Sequence, residues 1–119
     1  RKLVMNCVIN PLTAILRVRN NEIGAPSLKE LRHAIVRECI AVGRAEDVSI
    51  GEDFLNFVDE VIPRYTNRSS MLQDIMRGRR TEIDFINGKI VELGRRHGIP
   101  TPVNETLTQL IHFMEGQHE

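Results

Sequence analysis

Apolar residues recur at three- and four-residue spacing along almost the whole chain, which is the period of a helix packed on one side. The first stripe holds Leu3, Val4, Cys7, Val8, Leu12, Ile15 and Leu16 and predicts a helix from the start to about residue 17. Pro11 falls inside it, removing the hydrogen bond to the Cys7 carbonyl, so a kink is expected there. Turn chemistry follows at Asn20-Asn21 and Gly24-Ala25-Pro26. Ser27-Leu28-Lys29-Glu30 has the form of a capping box and predicts a second helix. Its inner face is Leu28, Leu31, Ile35, Cys39 and Val42, with Gly43 as the stop.

A third helix is expected from about Glu52 to Tyr65, burying Phe54, Leu55, Val58, Val61, Ile62 and Tyr65, with Pro63 a kink or early stop. Ser70 and Gln73 form a second box, opening a short helix that ends near Gly78. Thr81-Glu82-Ile83-Asp84 forms a third, opening a helix through Ile86, Ile90 and Leu93 to about His97, where Gly98 and Pro100 stop it. The last helix starts at Thr101-Pro102 and turns Leu107, Leu110, Ile111 and Met114 inward. Nothing has the alternation of a strand. The pattern predicts one all-α domain over residues 1–119, a bundle of five to six helices.

Composition narrows the function classes. Sixteen basic and sixteen acidic residues cancel, so no bulk charge draws the chain to nucleic acid or an anionic membrane surface. No apolar run reaches the length of a membrane span. Cys7 and Cys39 lie within helical stripes, which points to reduced thiols and a cytoplasmic setting rather than a disulfide framework. His33, His97, His112 and His118 have no metal-site spacing, and no metal is expected. No Gly-rich phosphate loop is present, so this chain does not hold a whole nucleotide site by itself. The start, "RKLVMN", has neither an initiator methionine nor a capping residue ahead of a helical pattern. This predicts a helix cut at its beginning, in the C-terminal part of a longer protein.

Three features carry candidate chemistry. Lys2, Asn6 and Asn10 follow one another at four-residue steps, each step drifting only about 40° around a helix. Asparagine is a poor helix former, so two in one apolar helix suggest a polar seam with a purpose. A solvated helix face accounts for the seam equally well. In a cleft, a lysine ammonium can donate a proton to a developing alkoxide, and carboxamides can hold a hydroxyl or carbonyl oxygen in register. Ser70 is explained as a helix cap, and a hydroxyl beside free backbone amides is also a carboxylate site. Glu82 suits the first turn of a helix through the macrodipole, and a carboxylate there can also grip sugar or substrate hydroxyls. The basic run Arg77 to Arg80 suits a solvated corner between helices.

The blocks "KLVMNCVINPLTAILRVRN" and "SSMLQDIMRGRRTEIDFINGKIVELGRRHGIPTP" closely resemble the C-terminal domain of ketopantoate reductase (2-dehydropantoate 2-reductase). The resemblance implies a helical domain like that of 6-phosphogluconate dehydrogenase, working with an N-terminal Rossmann domain that lies outside this chain. It implies NADPH-dependent reduction of 2-dehydropantoate to (R)-pantoate in pantothenate (vitamin B5) biosynthesis, with NADPH bound mainly by the absent domain. On it, Lys2 takes the position of the catalytic proton donor, and Asn6, Asn10, Asn20 and Ser70 those of substrate-binding residues. Glu82 takes that of a glutamate contacting the cofactor. Asn21 stands where many relatives have glycine, a change in the turn that presents Asn20. The isolated chain is then expected to fold without being active. Two other readings stay open: a related reductase acting on another 2-oxo acid, and a non-catalytic helical interaction or dimerisation module. A homodimer is compatible with the apolar surface a docking domain would cover.

Overall fold

The structure, a computed structural model, describes residues 1–117 and is all-helical, with no strand among the described residues. Six α-helices follow in order: α1 (Lys2–Leu16), α2 (Lys29–Ala45), α3 (Asp53–Val61), α4 (Ser70–Met76), α5 (Asn87–His97) and α6 (Pro102–Glu115). Tight 3₁₀ turns connect them at Asn20–Gly24, Pro26–Leu28, Ile62–Arg64 and Ile83–Phe85. Helix α1 is the axis of the bundle and packs against α2, α4 and α6. Its middle, from Val4 to Ala14, is buried nearly all round, Asn6 being half-buried. Leu3 and Leu16, placed in its inner stripe by periodicity, are exposed because they sit at its two ends, beyond the reach of the packing helices.

Helix α1 runs on through Pro11. The carbonyl that the proline leaves without a helical donor, Cys7 O, receives a hydrogen bond from the Asn87 side chain at 3.0 Å.

Helix starts differ from the predicted boxes in informative ways. At Ser27 the chain makes a 3₁₀ turn begun by Pro26, and α2 starts at Lys29; proline suits that first position and the serine stays exposed. Helix α2 passes Gly43 and ends at Ala45, with Asp47 adopting the left-handed conformation. Val48 N–H folds back onto Gly43 O at 2.7 Å. The cap of α4 is Ser69, whose Oγ accepts from Leu72 N–H at 3.0 Å. Thr13 of α1 holds that Oγ inward at 2.6 Å, so Ser70 becomes the first helical residue and faces outward.

Thr81 caps only a 3₁₀ turn, accepting from Ile83 N–H at 3.2 Å, and α5 waits until Asn87, which is drawn wholly into the core. The cap of α6 comes from another helix: the Glu38 carboxylate of α2 accepts from Val103 and Asn104 N–H at 2.9 and 3.0 Å. Tyr65 and Leu110, expected inside, are exposed. Tyr65 has left α3 through the Pro63 turn, and Leu110 lies on the flank of the Asn104–Leu107–Ile111 stripe.

Candidate active site

One cavity of about 730 Å³ opens beside the start of α1. Lys2, Asn6 and Asn10 enter it from α1, Asn20 from the first 3₁₀ turn, Ser70 from the start of α4, and Glu82 from the turn before α5. All six residues singled out in the sequence thus border the same space. Their depth is graded. Lys2 is exposed, Asn6 half-buried, and Asn10 only 9% exposed. A solvated helix face does not describe Asn10.

Local bonding explains how segments far apart in sequence converge. The Asn20 N–H donates to Asn67 O at 3.0 Å, and Arg19 Nη1 to Thr66 O at 3.3 Å, so the turn carrying Asn20 is stitched to the approach to α4. Gly24 brings that turn against Pro63, where a Cβ would meet Pro63 Cγ at 3.0 Å. From beneath, the buried guanidinium of Arg32 donates to Ile23 O at 2.8 Å and Ala25 O at 2.7 Å. Its other edge meets Asp59 of α3 at 3.0 Å, and His33 meets the second oxygen of Asp59 at 2.7 Å. Burial opposes ionisation of Asp59, but the hydrogen bonds from His33 and Arg32 outweigh it and hold the carboxyl below its usual range.

Charge and polarity divide the cavity. Arg1, Lys2 and Arg68 border it against the single carboxylate of Glu82, a balance that favours an anionic guest. The remaining wall is apolar: Met5, Ile9, Phe54, Phe57 and Tyr65. The Phe54 and Phe57 rings stack at 5.3 Å between centroids, and the Arg1 guanidinium lies 5.8 Å from the Phe54 centroid. Asn20 Oδ1 is buried with no hydrogen-bond partner, an acceptor left open in a residue that borders the cavity.

Asn67, Arg68, Phe57 and Tyr65 were not singled out in the sequence. Phe57 lies on the outer side of α3, Tyr65 was read only as a core residue of that helix, and Asn67 and Arg68 fall in the irregular stretch after it, where periodicity gives no signal. For Asn67 and Arg68 the usable hint was their place just before the serine pair that starts α4.

The histidines stand apart from this cavity. His33, His97 and His112 each meet a carboxylate, of Asp59, Glu46 and Asp84 respectively, and His118 lies outside the described residues. The hydrogen bond from His97 holds the Glu46 carboxyl below its usual value. The Arg77 to Arg80 run forms an exposed corner after α4. No helix among the described residues is long and apolar enough to cross a membrane.

Residues 1–115 match the family described as "Ketopantoate reductase PanE/ApbA C terminal". The chain belongs to that family. A 2-dehydropantoate 2-reductase of Vibrio cholerae is 46% identical over 117 residues, covering 97% of this chain and 40% of that protein. The chain therefore spans about two fifths of the length of the curated relatives it matches. Among solved structures, a PanE/ApbA family ketopantoate reductase from Ralstonia eutropha JMP134 superposes with a TM-score of 0.89 at 35% identity, over 98% of this chain and 41% of the other. D-Mandelate dehydrogenase in a ternary structure with NADH and anilino(oxo)acetate also reaches 0.89, at 30% identity over 97% of this chain and 50% of the other. The helical bundle is thus that of the ketopantoate reductase C-terminal domain. The family match spans every residue that lines the cavity, from Arg1 to Glu82.

Proposed function

We propose that this domain is the substrate-binding and catalytic half of an NADPH-dependent reductase that converts 2-dehydropantoate to (R)-pantoate, a step in pantothenate biosynthesis. An N-terminal Rossmann domain outside this chain would close the cavity and carry most of the cofactor. The observation that carries this reading is the convergence of Lys2, Asn6, Asn10, Asn20, Ser70 and Glu82 on one cationic cavity.

The donor set suits the reaction. Reduction of a 2-oxo acid places an alkoxide next to a carboxylate. The Lys2 ammonium donates its proton to that oxygen and is recharged from solvent, to which it is exposed. Ser70, at the first helical position of α4, and the cations bordering the cavity hold the carboxylate. Asn6, Asn10 and Asn20 fix the hydroxyl and carbonyl oxygens, and the open acceptor at Asn20 Oδ1 is suited to a substrate hydroxyl. The residues present fit one end of a nicotinamide cofactor: Glu82 supplies a carboxylate acceptor for ribose hydroxyls at the cavity edge. When bound, that cofactor supplies the hydride.

In the full-length protein, Lys2→Ala should lower turnover of 2-dehydropantoate by about 10²–10⁴-fold. The melting temperature should not change, because the side chain is exposed. Near-normal turnover would remove Lys2 from the role. The 119-residue chain alone should fold and show no turnover with NADPH and 2-dehydropantoate.

A second reading keeps the chemistry and changes the acid. Two observations favour it: the aromatic wall of Phe57 and Tyr65, and the likeness to a D-mandelate dehydrogenase. Comparing kcat/KM for 2-dehydropantoate and for aryl 2-oxo acids separates the two.

A further inference from the structure

We infer that Asn87 is a positioning residue for the reaction, acting through the backbone of α1; this rests on the reading of Lys2 as proton donor. Pro11 has no N–H, so the Cys7 carbonyl, next to Asn6 in the sequence, has no donor at the usual helical position. Asn87 Nδ2 donates to it at 3.0 Å, from the first residue of a helix eighty positions away in sequence. Its second amide hydrogen goes to Asn104 Oδ1 at 2.8 Å. Asn104 Nδ2 in turn reaches Glu38 Oε1 at 2.8 Å, and Glu38 caps α6. Both Asn87 and Asn104 are fully buried. The result is one continuous chain of hydrogen bonds from the Glu38 carboxylate of α2, through α6 and α5, to the carbonyl that Pro11 leaves open in α1.

Placement gives this chain its function. The missing bond spans residues 7 to 11, between the turn bearing Lys2 and Asn6 and the turn that follows Asn10. The later turn is anchored by Thr13, which meets Ser69 at 2.6 Å. Nothing in the helix itself ties Cys7 O to position 11. Asn87 supplies the missing tie from outside and so sets the angle between the proposed proton donor and the deep asparagine. Proline and asparagine form a matched pair: the proline opens the carbonyl, and the asparagine occupies it.

The pairing makes a reciprocal test possible in the full-length protein. Asn87→Ala should lower kcat about ten- to a hundredfold, the scale of a misplacement near 1 Å. Adding Pro11→Ala restores a backbone donor to Cys7 O, and the double variant should recover most of the lost kcat. A role confined to holding α5 against α6 would not be rescued, because Asn104 Oδ1 still lacks its donor in the double variant. Should Asn87→Ala fail to fold, recovery of both folding and turnover on adding Pro11→Ala carries the same meaning. An unchanged kcat in Asn87→Ala, or a double variant no better than the single one, overturns the inference. Lys2→Ala is run alongside: if it abolishes turnover while Asn87→Ala does not, only the positioning role falls, and if it leaves turnover intact, the underlying site reading falls.

Discussion

Replacing Arg32 by alanine removes the joint beneath the candidate site, and the structure sets the size of the effect. The side chain is 3% exposed and bonds to Asp59 through Nε and Nη2, both at 3.0 Å. Nη1 bonds to Ile23 O at 2.8 Å and to Ala25 O at 2.7 Å. Breaking a buried ion pair from one side costs about 3–5 kcal/mol. Asp59 keeps His33 and is 21% exposed, so water and the imidazole recover part of that. Against this recovery stand two freed carbonyls, about 1–3 kcal/mol each when buried. Ile23 is fully buried whereas Ala25 is half-buried, so one of the two is mostly rehydrated. The net expectation is a loss of about 4 kcal/mol at neutral pH, a large share of a domain stability of about 5–15 kcal/mol.

Urea unfolding of the 119-residue chain, followed by circular dichroism, measures it. With a slope of about 2 kcal/mol/M the midpoint should fall by about 2 M. The pH dependence has a definite sign. Asp59 has its folded-state carboxyl held below the unfolded value, so its contribution is complete above about pH 4, the unfolded value. It is lost as the pH falls through the folded value. The penalty of Arg32→Ala should therefore shrink in acid toward the share owed to the carbonyls. A loss under about 1 kcal/mol at pH 7, or a penalty that grows on acidification, would refute the account.

Three further outcomes test the fold. Ser69→Ala should cost about 1–2 kcal/mol through the lost cap and the lost Thr13 contact. Ser70→Ala should stay within about 0.5 kcal/mol, and a reversed order would return the cap to Ser70. Gly94→Ala sets a Cβ 2.7 Å from Ile99 O and 2.9 Å from Thr101 Cγ2. The backbone carbonyl has no room to yield, so a net loss of about 1–2 kcal/mol by thermal unfolding outweighs the helix-propensity gain. Hydrogen bonding to Cys39, then burial, pushes the Cys7 thiol well above its usual value, and both sulfurs are buried. Native protein should react with a disulfide reagent only as fast as it unfolds, and labelling at the rate of a free thiol would contradict the packing.

The helical stripes were legible because burial on one side leaves a local, periodic trace. So was the polar seam of Lys2, Asn6 and Asn10, since four-residue steps align on a helix whatever packs against it. The cap of α4 was not. Ser69 and Ser70 are equivalent as local signals, and the choice is made by Thr13, which stands fifty-six residues away. The start of α5 was displaced for the same kind of reason. Thr81 to Asp84 has the form of a capping box, yet Asn87 is the residue pulled inward, by a carbonyl that a distant proline freed. Tyr65 kept the helical spacing of α3 but left the helix at Pro63, so spacing alone placed it inside. The role of Asn20 came from the resemblance alone, since a lone asparagine in a turn has no pattern of its own, whereas Glu82 was marked by its place in a capping box.

The gradient of burial along α1 links these observations to chemistry. On the proposed reading, a proton donor must be renewed each cycle, which requires contact with solvent. A carboxamide that holds the substrate must keep one orientation, which requires packing. One helix meets both needs by entering the bundle end-on: Lys2 lies at the exposed tip and Asn10, four residues beyond Asn6, is 9% exposed. Burying Asn10 would cost more if its backbone neighbourhood were also unsatisfied. The next residue, Pro11, has no donor to bury, and the acceptor it strands at Cys7 is claimed by Asn87. Pro11 and Asn87 together thus leave no backbone group unpaired beside the deep asparagine, and Asn87 lies in the same core that packs against α1.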